Sequence, residues 1–152
     1  MAVDVLTDIV IDRPRDQVAA YAADPTHAPE WYVNIESVDW KTAPPVRVGS
    51  RMAFVARFLG RRLAYEYEVV ELVPGERLVM RTAEGPFPME TTYTWDAVGK
   101  GQTRMTLRNR GEPTGFSKVG APLMASAMRR ANRKDLDRLK MLMERKAPPS
   151  QP

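Results

Sequence analysis

A single histidine and no cysteine leave this sequence few of the groups that do chemistry by themselves. His27 cannot supply a metal site of several imidazoles, and a Ser-His-Asp relay would have to be built around it alone. It stands between Pro25 and Pro29, in a stretch that reads as a helix cap, so a structural or surface role is expected and no catalytic residue is assigned. Without cysteine there is no thiolate nucleophile, no disulfide and no sulfur ligand; neither a metal nor an organic cofactor is expected. Gly99-Lys100-Gly101 falls in a hairpin turn and not between a strand and a helix, so it does not read as a phosphate-binding loop. What remains is a set of neutral polar groups and one acid: Tyr65, Tyr67, Tyr93, Thr91, Asn109 and Asp135. Placed on inward faces, such groups orient a bound molecule by hydrogen bonding. A buried one without a partner costs about 1–3 kcal/mol, so each must bond to protein, water or ligand. Asp135 either faces that interior or pairs with a nearby arginine.

The elements that would position these residues follow from hydrophobic periodicity. Val3, Val5, Thr7, Ile9 and Ile11 alternate with Asp4, Asp8 and Asp12, which is a strand with one buried face; Leu6 and Val10 break the segregation. Asp12-Arg13-Pro14 reads as a strand end and helix start, with Pro14 in the first turn and Val18, Tyr21 and Ala22 forming an apolar face. Asp24-Pro25 interrupts this helix, and a second short turn or helix is expected over His27 to Tyr32. Strands then follow from Ile35 to Lys41, Arg51 to Leu59, Leu63 to Val73 and Leu78 to Ala83. Two more run from Phe87 to Asp96 and beyond Gly101. Gly60-Arg61 and Pro74-Gly75-Glu76 mark tight turns. Strands this close in sequence join only as antiparallel hairpins, because a parallel crossover needs a dozen or more residues.

From about Phe116 the spacing becomes helical, and the helix is expected to start properly near Pro122. Met124, Met128, Ala131, Leu139 and Leu142 form its apolar stripe, with Asp135 the discordant member. A sheet with one apolar face must cover it, and this final helix is the only element long enough. The residues facing it would be Phe54, Phe58, Tyr65, Tyr67, Met89, Tyr93 and Trp95, with Met124 and Met128 opposite. Large aromatics and flexible methionines suit an adaptable pocket, and they equally suit a filled core. Trp31 could form one wall of such a pocket or simply anchor its short helix.

At 152 residues the chain fits one domain, and residues 1–146 are read as that domain, with a disordered tail over 147–152. No apolar run approaches the length of a bilayer span, so no stable membrane insertion is expected. Met1-Ala2-Val3-Asp4 lacks the basic and apolar regions of a secretory signal, and a cytoplasmic location is expected. The net charge of +4 comes largely from Arg129, Arg130, Arg133, Lys134, Arg138, Lys140, Arg145 and Lys146 on the last helix. No stacking or groove-reading motif accompanies them. They read as a solvated face and not as a nucleic-acid or membrane surface.

Several stretches resemble one family. Ile9-Val10-Ile11-Asp12-Arg13-Pro14, then Val18, Asp24-Pro25 and Pro29-Glu30-Trp31, look like the N-terminal signature of the START/Bet v 1-like (SRPBCC) superfamily. They resemble in particular its bacterial polyketide cyclase/dehydrase and lipid-transport group. The run from Tyr67 to Leu78 and Gly111-Glu112-Pro113 fit the same pattern, so the resemblance extends over residues 3–146. It implies an α+β helix-grip fold: a curved seven-stranded antiparallel sheet wrapped around a long C-terminal helix, with two short helices after strand 1. It also implies a deep cavity for a lipid, sterol or polyketide-like molecule. The expected function is therefore a non-catalytic carrier or sensor of a small hydrophobic ligand; the alternative is a cyclase/aromatase-like enzyme. The expected ligand-binding set is Trp31, Phe54, Phe58, Tyr65, Tyr67 and Met89 with Thr91, Tyr93, Asn109, Met124, Met128 and Asp135.

Overall fold

The computed structural model describes residues 3–85, 88–112 and 120–145. Strand β1 (Val3–Ile11) leads into helix α1 (Arg15–Ala22), a three-residue helical turn (Pro25–His27) and the short helix α2 (Ala28–Trp31). Six strands follow: β2 (Ile35–Trp40), β3 (Arg51–Phe58), β4 (Arg61–Val73), β5 (Arg77–Glu84), β6 (Met89–Gly99) and β7 (Gln102–Gly111). Helix α3 (Ala121–Arg145) is the last of the described elements. All seven strands form one antiparallel sheet in the order β1-β7-β6-β5-β4-β3-β2. The first strand thus pairs with the last, and the sheet curves as a half-barrel around α3. This is the helix-grip arrangement.

Alternation decides which face is which. In β1, Val3, Val5, Thr7 and Ile11 are buried while Asp4, Leu6 and Asp8 are exposed. The outward acids meet arginines of the neighbouring strand: Arg108 donates to Asp4 at 2.6 Å, and Arg104 pairs with Asp8 at 3.3 Å. Farther along the convex face Glu90 lies directly opposite both Arg81 and Arg110 and pairs with each. The two guanidiniums hold its carboxyl below the usual carboxylate range. Such exposed pairs contribute little stability but keep this face solvated.

The turns differ slightly from those expected. The β3–β4 hairpin turns on Leu59-Gly60, one residue before Gly60-Arg61; both have positive φ, 51° and 77°. That is the two-residue geometry whose twist matches the flanking strands. Likewise α1 begins at Arg15, with Pro14 extended at its N-cap instead of inside the first turn. The expected positions Phe87, Phe116 and Pro113, together with Lys146 and the tail 147–152, lie outside the described residues.

Helix α3 turns Met124, Asn132, Asp135, Leu136, Leu139 and Met143 inward. Met128, Ala131 and Leu142 of the expected stripe lie at its margin, partly exposed. Burying Leu136 and Leu139 contributes about 1.5–3 kcal/mol each. The C-terminal end of α3 is fastened to the end of β1: Lys140 donates to the Val10 carbonyl at 2.9 Å, and the Asp12 N–H donates to Glu144 at 2.9 Å. Arg129, Arg130, Arg133 and Lys134 are exposed on the opposite side.

Candidate functional site

Between the concave face of the sheet and the middle of α3 the packing is incomplete. A pocket of about 150 Å³ opens there, walled mainly by apolar side chains. Strands β3 to β6 supply Phe54, Leu63, Leu78, Met80 and Met89; α3 supplies Met124 and Met128. The turn between α1 and α2 closes one end with Ala22, Pro25 and Ala28. Aromatic rings line the sheet side: Phe54 stacks on Tyr65 at 5.6 Å, and Tyr65 meets Tyr67 edge-on at 5.1 Å.

The polar groups within this wall follow from strand register. Thr91 of β6 sits opposite Asn109 of β7 and Met80 of β5. A hydrogen-bonded chain crosses the sheet and reaches the helix. The Tyr67 hydroxyl lies 2.8 Å from Thr91 Oγ1, Thr91 donates to Asn109 Oδ1 at 2.7 Å, and Asn109 Nδ2 donates to Asn132 Oδ1 at 3.1 Å. Because the Thr91 hydrogen is committed to Asn109, Tyr67 is the donor to Thr91. The chain ends at Asn132 Nδ2, which is buried and has no partner.

A second group surrounds Asp135, which is 3% exposed and lines the pocket. Its Oδ1 accepts the Val33 N–H at 2.9 Å. Burial raises its pKa to about 7, and the Val33 hydrogen bond offsets only part of that rise. The phenols of Tyr32, Tyr65 and Tyr93 lie within electrostatic reach of this carboxyl. Burial first, then neighbouring negative charge, pushes Tyr32 and Tyr65 well above the ordinary phenol value. Burial likewise raises Tyr93 and brings Tyr67 up to about 12. All four therefore stand as neutral hydroxyls near neutral pH. The Tyr32 and Tyr93 hydroxyls bond to each other at 2.5 Å.

The structure thus brings together Phe54, Phe58, Tyr65, Tyr67, Met89, Thr91, Tyr93, Asn109, Met124, Met128 and Asp135 around one pocket. Trp31 is not among the lining residues. It is fully buried, packed against Tyr32 and Tyr93 at 4.2 and 5.7 Å, and anchors α2 to the core. Its neighbour Tyr32 takes the expected place at the wall. Leu63, Leu78, Met80 and Asn132 also line the pocket and were missing from the expected set; Asn132 is the polar one on α3. It follows Met128 by four residues and precedes Asp135 by three, so the helical repeat itself pointed to it. His27 stands apart: its ring stacks on Tyr21 at 4.2 Å and its Nδ1 lies 3.0 Å from the Tyr21 carbonyl. Among the described residues no cluster of acids and histidines could hold a metal ion, and no helix is long and apolar enough to cross a membrane.

A curved seven-stranded antiparallel sheet gripping a C-terminal helix, with short helices after the first strand, defines the START/Bet v 1-like class. Within it, this chain belongs to the polyketide cyclase / dehydrase and lipid transport family, whose model matches residues 2–144. Solved structures agree on the fold. The chain is similar to the Zhui aromatase/cyclase from Streptomyces sp. R1128 with a TM-score of 0.80 at 14% identity, covering 99% of this chain and 98% of that one. It is similar to a START superfamily protein from Mycobacterium smegmatis with a TM-score of 0.80 at 13% identity, covering 93% and 97%. Major latex-like protein 151 from Panax ginseng gives 0.74 at 16% identity, covering 92% and 96%. No curated protein matches the chain in sequence.

Proposed function

We propose that the protein binds a small hydrophobic molecule in this pocket and acts as its carrier or sensor without transforming it. The observation that carries this reading is the way the lining divides its work. Tyr67, Thr91 and Asn109 are hydrogen-bonded into one chain that ends on Asn132 Oδ1, and the apolar Phe54, Met80, Met89, Met124 and Met128 supply much of the surface that would meet a guest. Flexible thioethers can refit around molecules of different outline. Membership of a family described by lipid transport as well as cyclisation supports the same reading. We place this domain, residues 1–146, in the cytoplasm.

A neutral environment-sensitive dye, N-phenylnaphthylamine, tests the proposal by fluorescence titration. Saturable one-to-one binding is expected. It is expected to weaken at least about tenfold in Ala131→Phe, because Ala131 lines the pocket and a phenyl group there would occupy it. A folded protein that excludes the dye would end the carrier reading.

A second reading, an aromatase/cyclase-like enzyme, is favoured by a specific observation: Asp135, Tyr32, Tyr65 and Tyr93 converge on one end of the pocket. Such groups could hold a reactive chain in a folded conformation. Turnover of a poly-β-ketone substrate by the purified protein, abolished in Asp135→Asn, would support this enzyme over the carrier.

A further inference from the structure

Asp135 is the acid at the heart of the pocket, and among the described residues it has no counter-ion. It is 3% exposed, and its hydrogen-bond partner is a neutral backbone N–H, that of Val33. A carboxylate offers about four lone-pair positions, so most of its accepting capacity is unspent. Among the described residues no ion pair includes it. The arginines that touch the pocket rim are committed elsewhere. Arg57 is exposed and donates to Glu36 at 2.6 Å, while Arg110 pairs with Glu90 on the convex face. Arg138, one turn along α3 from Lys134, is directed at the Glu30 carbonyl.

The groups that face Asp135 from the packed elements are phenols: Tyr32 at the end of α2, Tyr65 on β4 and Tyr93 on β6. All three line the same pocket. Aromatic faces attract cations, and desolvation strengthens that attraction. When ionised, a buried carboxylate among phenols therefore gives this end of the pocket a negative potential, and among the described residues no cation pairs with it. An anionic ligand such as a fatty-acid carboxylate would be repelled there. An ammonium group would supply the missing counter-charge and could donate to the unused carboxylate positions.

We infer that the guest is an apolar molecule carrying a protonated amine, seated with its nitrogen on Asp135 between Tyr32, Tyr65 and Tyr93. This rests on the pocket being a binding site, as proposed above, and adds the chemical class of its occupant. Burial raises the pKa of Asp135 to about 7, and a bound ammonium group would lower it again by favouring the ionised form.

The test compares three probes of equal chain length, octylamine, octanol and octanoate, by calorimetry at pH 8, with the wild-type protein and Asp135→Asn. The amide of the variant keeps an acceptor for the Val33 N–H, so the fold is retained, and a thermal melt checks this. Octylamine is expected to bind the wild type about tenfold more tightly than octanol, and octanoate more weakly than octanol. In Asp135→Asn the advantage of octylamine over octanol should disappear. If octanol binds but octylamine gains nothing, or keeps its gain in Asp135→Asn, the amine assignment is overturned and the carrier reading stands. If none of the three binds, both are overturned.

Discussion

Asp135 concentrates the chemistry of this pocket in a form that can be measured without a ligand. Its folded pKa, about 7, lies above the 3.8 of an ordinary aspartate. Between those values the folded protein holds a proton that the unfolded chain has released. Its contribution to stability is therefore full below about pH 4 and is lost as the pH rises through about 7. Replacing it with asparagine should make the protein about 1–3 kcal/mol more stable than wild type at pH 8 and leave it unchanged near pH 4. Urea unfolding of both proteins at the two pH values checks this, and an equal difference at both would contradict the assignment. At this scale the sequence showed most of the wall but not all of it. Thr91 and Asn109 could be placed inward because strand alternation leaves only two faces. Trp31 ends a four-residue helix and Tyr32 caps it, a stretch too short for any periodicity to say which turns to the pocket. Asn132 went unnoticed for a different reason: a search for an apolar stripe passes over an amide, although its spacing from Met128 and Asp135 puts it on the buried face.

Among elements, the seven strands were legible because hairpin spacing admits only antiparallel joins, and turn residues mark nearly every boundary. The exact turns were less so. Leu59 takes a positive φ at the β3–β4 corner, which composition alone does not announce. The far end of β7 shows how tightly these elements meet. A Cβ on Gly111 would lie 2.7 Å from the Pro88 carbonyl oxygen, a backbone atom that cannot swing aside. The adjacent Glu112 N–H donates to that same carbonyl at 3.1 Å. Gly111→Ala should therefore force the start of β6 away from the end of β7 and cost about 1–3 kcal/mol, as overpacking does. A thermal melt that left the midpoint unchanged would show that the two strand ends have room to part.

For the whole molecule, the order of elements and the family resemblance carried the architecture, since a sheet with one apolar face and one long amphipathic helix has few ways to close. What lies between them was not legible. Whether inward aromatics and methionines meet or leave a gap depends on how far the sheet curls from α3, and alternation is silent on that distance. The methionines offer the most direct view of the outcome. Met80, Met89, Met124 and Met128 line the pocket; Met141 is 48% exposed on the outside of α3, and Met105 is buried beyond the pocket wall. With methyl-labelled methionine, titration of N-phenylnaphthylamine should shift the resonances of Met80, Met89, Met124 and Met128 together, to saturation at one equivalent, and leave Met141 in place. Shifts confined to Met141, or none at all, would contradict the claim that this fold holds its guest between sheet and helix.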